Sequence, residues 1–192
     1  MATTEIPPRI EPLTPPYEPA IAATLAKWMP PDRDDIEPLA LFRVLAVHDE
    51  LFSRSLPLGA GILGHGRITP REREIVIHRT CALAGAEYEW GVHATAFAPL
   101  VELTDEQLTA TVHGPADDPA WSPQDSAIVA LCDELFFTAT VSDEVWDRLA
   151  ATHTPDQLLE LVLAAGWYRT LSAVINATRI PLEPWAARFP AP

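Results

Sequence analysis

Residues 69–93 read TPREREIVIHRTCALAGAEYEWGVH, and the reading of this stretch decides the fold. It opens on Thr69-Pro70-Arg71-Glu72, a hydroxyl N-cap followed by proline at N1 and an acid at N3. The hydroxyl accepts from a first-turn amide, the proline gives up only an amide that lacks a helical partner, and the acid bonds back to the cap. Ala84-Gly85-Ala86 interrupts the run, so two helices are predicted, over 70–84 and 87–99. So short a connection favours antiparallel neighbours. Glu74 and His78 stand four apart on the first helix, Glu89 and His93 four apart on the second. Four residues place side chains on one face, about 6 Å apart along the axis. A carboxylate beside an imidazole sets its tautomer and raises its pKa, which suits a general acid or base. An antiparallel hairpin brings the acid of the first helix close to the histidine of the second.

The same start signal recurs at Ser122-Pro123-Gln124-Asp125 and Thr154-Pro155-Asp156-Gln157, with weaker forms at Thr104 and Ser142. Apolar residues then follow at three-four spacing, as in Leu131, Leu135 and Phe136. Further helices are predicted at 37–55, 104–111, 123–138, 143–152 and 155–179, while Leu56–Gly66, with four glycines, reads as a loop or short helical turn. No run alternates with period two and no hairpin dipeptide is present, so the chain is read as all-α. The 20 prolines crowd the ends. Residues 1–38 form an expected proline-rich arm with one short helix, Pro19–Met29; residues 39–185 form the helical domain and 186–192 a tail. Ile6, Ile10, Leu13 and Tyr17 would let the arm lie on a surface, its own or a neighbouring subunit's.

At 192 residues the chain is long enough for one domain with a substantial core. Its formal charge of -14, with Lys27 the sole lysine, argues against a nucleic-acid partner and against an anionic membrane surface. The start lacks the basic residues and apolar run of a signal peptide, and the apolar stretch 158–180 is interrupted by Glu160, Arg169 and Arg179. That stretch is read as a core helix. With two cysteines, Cys81 and Cys132, a reducing cytoplasm with free thiols is expected.

Glu87-Tyr88-Glu89-Trp90-Gly91-Val92-His93, the approach Arg71–Thr80, and the closing Trp167–Trp185 together resemble the carboxymuconolactone decarboxylase family, which includes the alkylhydroperoxidase D-like (AhpD-like) proteins. The likeness covers most of residues 39–185 and implies an AhpD-like helical bundle assembled as a dimer, trimer or hexamer. In the hydroperoxidase branch a Cys-x-x-Cys precedes the histidine, and a glutamate nineteen positions before that histidine serves a proton relay. Here His93 matches the histidine and Glu74 the glutamate, but the two cysteine positions hold Ala86 and Glu89. Disulfide turnover needs a thiolate and a second thiol within reach, so that departure moves the expectation towards the decarboxylase branch.

The resemblance therefore implies a cofactor-free acid/base enzyme, a decarboxylase (lyase) or isomerase, acting on a small carboxylated or carbonyl compound. His93 is the candidate acid/base, with Glu74 and Glu89 tuning it. Arg79, or else Arg67 or Arg73, is the candidate clamp for a substrate carboxylate. Tyr88, Trp90 and His65 are further candidates to line the site. A peroxiredoxin-like oxidoreductase using Cys81 or Cys132 is the alternative, and a non-catalytic oligomeric homologue the second. No metal is expected; the nearest to a metal set is His78 and His93 with Glu74 and Glu89, against the simpler reading of His78 as a core histidine.

Overall fold

The computed structural model describes residues 7–29 and 36–191. The start of the expected arm through Ile6, the Pro30-Pro31 pair and Pro192 lie outside the described residues. The nine α-helices among them are α1 (Pro19–Leu25), α2 (Ala40–Leu45), α3 (Asp49–Gly64), α4 (Pro70–Leu83), α5 (Glu87–Ala96), α6 (Asp105–His113), α7 (Pro123–Thr138), α8 (Asp143–Ala150) and α9 (Pro155–Thr178). Short 3-10 turns follow α1, α2 and α5, and no strand occurs among the described residues. The protein is all-α, as the sequence predicts.

The hairpin α4–α5 lies at the centre. Helix α4 packs against α5, α6, α7 and α9, so its apolar run is enclosed on all sides rather than along one stripe: Ile75, Val76, Ile77, His78 and Cys81 are all fully buried. Thr69 and Glu72 exchange the two bonds of a capping box at its start. Gly85, at φ +64°, makes the turn into α5, a left-handed conformation that glycine adopts without a Cβ clash. Helix α9 is long and apolar enough to cross a membrane by length and composition alone. In this fold it is a core helix, with Leu161, Ala164, Ala165, Tyr168, Leu171, Ser172 and Ile175 forming its buried stripe.

The structure departs from the sequence reading in two places. Residues 37–55 are not one helix: a 3-10 turn at Ala46–His48 separates α2 from α3. Leu56–Gly66 is not a loop; α3 runs through Pro57 to Gly64. Proline removes one helical hydrogen bond, which here would have gone to Ser53. Ser53 and Pro57 are both exposed, so water can serve the freed carbonyl.

Both ends lie on the chain's own surface where they are described. Arg9 donates to the Thr178 carbonyl at 2.8 Å, and Arg43 donates to the Leu13 carbonyl at 3.1 Å. Glu183 reaches back to accept from the Ala40 amide at the start of α2 (2.8 Å) and from the Tyr88 hydroxyl (2.7 Å). The segment after it crosses α5: Ala187 N–H donates to Thr95 Oγ1, Phe189 N–H to Glu87, and the Phe189 ring meets Trp90 edge-on. The Ala187 carbonyl passes so close to Gly91 that any Cβ there would overlap it.

Candidate functional site

The antiparallel hairpin places Glu74, near the start of α4, against His93, near the end of α5. Glu74 Oε2 and His93 Nδ1 are 2.7 Å apart, and both residues are buried. Glu89, one turn before His93, holds its Oε1 3.7 Å from His93 Nε2, too far for a direct hydrogen bond but well within charge contact. Arg73 lies against Glu74 (3.4 Å) and donates to the Leu63 carbonyl, holding a cation on the far side of the same carboxylate.

Opposed effects set the protonation of this group. Burial works to raise the Glu74 carboxyl, but His93, His78 and Arg73 outweigh it and hold the acid below its ordinary range. Burial likewise works to lower His93; the charge of Glu74, the bond to it and the charge of Glu89 win, and its pKa rises to about 9. His78 goes the other way, to about 4, through burial and the nearby His93 cation. At neutral pH His93 is therefore an imidazolium whose Nδ1–H donates to Glu74, while His78 is neutral. His78 Nδ1–H then donates to the Glu74 carbonyl (2.7 Å), and its Nε2 has no partner among the described residues.

His93 Nε2 and Glu89 face a cavity of about 150 Å³. Apart from Ser55, whose hydroxyl donates to the Phe52 carbonyl, most of its other walls are apolar: Leu41, Phe42 and Phe52 from α2 and α3, Phe97 stacked on His93, and Leu171 from α9. Trp28 and Trp167 close one side over Gly59, whose missing side chain leaves the indoles room to approach. Tyr168 completes the lining, its ring perpendicular to His93 at 5.4 Å. Apart from Phe97, the aromatic walls come from residues 41 to 75 positions away from His93 in sequence, and no local motif marks them. The three-four spacing of Tyr168 with Leu161, Ala164 and Leu171 was the one signal that Tyr168 points inwards.

The remaining candidates lie elsewhere. Arg79 is committed to Asp133 through two bonds of 2.6 and 2.9 Å and to the Thr111 and Gly114 carbonyls, so it ties α4 to α6 and α7 and clamps no ligand in this cavity. Arg67 pairs with Asp156 on the surface. Tyr88 spends its hydroxyl on Glu183 and accepts from the Leu41 amide, and Trp90 donates to Thr111 Oγ1. His65 is exposed beyond the end of α3. None of these four sequence candidates (Arg79, Tyr88, Trp90, His65) lines the cavity, because each already has a partner or lies outside the core. Among the described residues no three of His, Cys, Asp and Glu are arranged to hold a metal. The His78 and His93 rings stand perpendicular with centres 6.2 Å apart, and their Nδ1 atoms both serve Glu74. Cys81 and Cys132 are buried outside the cavity; burial pushes both thiols up, Cys132 to about 12.

Several solved structures share this arrangement of helices. A peroxidase-related protein from Silicibacter sp. TM1040 superposes with a TM-score of 0.77 over 99% of this chain and 100% of its own, at 14% identity. A protein of unknown function from Agrobacterium tumefaciens, whose name suggests an antioxidant-defence AhpD, gives 0.65 over 72% of this chain and 94% of its own, at 16% identity. The fold is AhpD-like. The debrominase Bmp8 adopts it too, with a TM-score of 0.70 over 92% of both chains at 13% identity. No protein-family model matches the sequence, and no curated protein matches it either. At these identities the AhpD-like architecture is what is shared, across proteins named for different chemistries.

Proposed function

We propose that this AhpD-like protein is a cofactor-free acid/base enzyme of the isomerase type, acting on a neutral, single-ring compound that carries a carbonyl. The observation behind this reading is the pairing of an imidazolium Nε2–H with a carboxylate, 3.7 Å apart, at one wall of a largely apolar cavity. Apolar cavities of roughly 150 Å³ admit benzene, which sets the size of the substrate. No arginine or lysine lines the cavity among the described residues, and its one cation, His93, is already matched by Glu74 and Glu89, so no charge is left over to clamp a substrate carboxylate. That shifts the proposal within the decarboxylase-like reading, from carbon dioxide loss to proton movement on a ketone or enone. A cysteine-to-alanine variant of Bmp8 is known in complex with 2,3,4-tribromopyrrole, itself a single ring.

The residues suggest a balanced cycle. Glu89 removes a C–H proton next to the carbonyl; the C–H electron pair moves to form the enolate, whose oxygen takes a hydrogen bond or the proton from His93 Nε2. Protonated Glu89 returns its proton to the ring at the same or a conjugated carbon, and His93 recovers its own from the enol. Glu74 holds the imidazole in the right tautomer and supports its charge. The peroxiredoxin-like alternative has to use a thiol that is buried, raised in pKa and outside the cavity.

Deuterium uptake from D2O into 2-cyclohexen-1-one, followed by proton NMR, tests the proposal. His93→Ala and Glu89→Gln are each expected to slow uptake by about 100-fold or more, the range for losing a general acid or base. Uptake unchanged in both variants would sink it.

Self-association belongs to the same proposal. Leu58, Leu159 and Leu163 are exposed together on the α3–α9 face, and sedimentation of the wild type beside a Leu159→Glu, Leu163→Glu variant reads whether copies meet there.

A further inference from the structure

Tyr168 sits at the middle of the buried stripe of α9 and is 2% exposed. Packing at that position asks only for a ring, which phenylalanine would supply. The phenol oxygen is an additional polar atom on a side chain that is otherwise almost wholly buried, and polar atoms in such places ordinarily have a partner. Tyr88 shows the ordinary case: it is equally buried, and its hydroxyl donates to Glu183 and accepts from Leu41. The Tyr168 hydroxyl makes no hydrogen bond among the described residues, although it lies close enough to Glu89 and Glu74 to feel both charges. Those charges and its burial hold the phenol well above its ordinary pKa, so it keeps its proton. The residue lines the same cavity as His93 and Glu89, edge-on to the imidazole.

We infer that Tyr168 is a second catalytic hydrogen-bond donor, which together with His93 Nε2 holds the carbonyl oxygen that gains charge when Glu89 takes the C–H proton. This inference rests on the acid/base reading and deepens it: two donors converging on one oxygen, with the His93 charge already matched by Glu74 and Glu89, select a ring ketone or enone over a carboxylate. In the step, the C–H bond breaks towards Glu89, its electron pair becomes the new C=C, and the C=O pair moves onto oxygen between the two donors. Tyr168 keeps its proton throughout; it lends a hydrogen bond that strengthens as the oxygen becomes negative. Such a donor helps the transition state more than the ground state, because it is already aimed and needs no reorganisation.

The probes are cyclohexanone labelled with 13C at the carbonyl and benzene, a like-sized ring without an acceptor oxygen. With the full chain, both are expected to bind, and the bound carbonyl carbon to resonate downfield of its position in hydrocarbon solvent. Tyr168→Phe should keep benzene affinity within about 2-fold, lose part of the downfield shift, and slow deuterium uptake by on the order of 100-fold, as expected for one lost oxyanion donor. If benzene still binds but the shift and the uptake rate match wild type, the Tyr168 assignment is overturned and the acid/base reading stands. If wild type binds neither probe or takes up no deuterium, the reading itself falls, and the inference with it. Should Tyr168→Phe not fold, 3-fluorotyrosine at position 168 replaces it: a more acidic donor must move the carbonyl resonance further downfield, and an unmoved resonance overturns the assignment.

Discussion

Helix α4 carries two buried glutamate–histidine pairs two residues apart, and they have opposite characters. Glu72 meets His153 at 3.1 Å, and both its oxygens are engaged: it also accepts from the Thr69 amide and from Gln124. His153 Nδ1 bonds the Leu149 carbonyl, so each nitrogen and each carboxylate oxygen of the pair has a protein partner. Neither residue lines the cavity. Glu74 meets His93 at 2.7 Å, but His93 Nε2 has only Glu89 at 3.7 Å and open space before it. Burial and pairing alone thus do not distinguish a site from a brace. An unfilled valence facing a cavity does.

The largest expected effect separates the two pairs by activity. Glu74→Gln should slow deuterium uptake by about 100-fold or more and bring the His93 pKa down from about 9, read by NMR titration of the ring. Glu72→Gln should leave uptake within about 3-fold of wild type. If both variants lose activity alike, the distinction between brace and site fails.

Stability should divide them differently. Glu72→Gln is expected to cost about 2 kcal/mol at pH 7, because it leaves buried partners unmatched, and urea unfolding measures it. The pH windows also differ in sign. The lowered Glu72 and Glu74 acids stabilise above their ordinary pKa of 4.5, and that contribution is lost as pH falls through their folded values. The raised His93 stabilises fully below 6.5 and loses its contribution as pH rises through about 9. Wild type should therefore lose its advantage over Glu72→Gln on the acid side, and its advantage over Glu74→Gln on both sides.

A third change acts on α5 from outside. Gly91→Ala forces the Ala187 carbonyl away and should cost about 1–3 kcal/mol in unfolding experiments, with faster amide exchange at Ala187 and Phe189. The smallest effect is expected at sulfur. Replacing Cys81 and Cys132 together by alanine should leave deuterium uptake within about 2-fold; a full loss would restore the thiol mechanism.

What could be read from the sequence was local. The Thr69, Ser122 and Thr154 starts place α4, α7 and α9 at the predicted residue, because cap, proline and N3 side chain act within one turn. The Glu74–His93 approach was also legible, since one short turn at Gly85 fixes both partners. The four glycines of Leu56–Gly66 misled, because a glycine inside a helix costs only about 1 kcal/mol relative to alanine and α3 runs on through three of them. His153 carried no visible pattern: its partner lies 81 residues away. Arg79 drew attention as a charged neighbour of the motif, yet its bidentate partner Asp133 belongs to a helix 54 residues later. The cavity itself joins α2, α3, α5 and α9 and has no sequence signature.

The two indoles over Gly59 have a practical consequence. Trp28 and Trp167 are two of the six tryptophans, and both border the space where a ring-sized ligand would sit. The protein therefore carries its own optical gauge of occupancy. A ligand entering beside them should change their emission without any label, and Trp28→Phe and Trp167→Phe variants would divide the signal between the two walls.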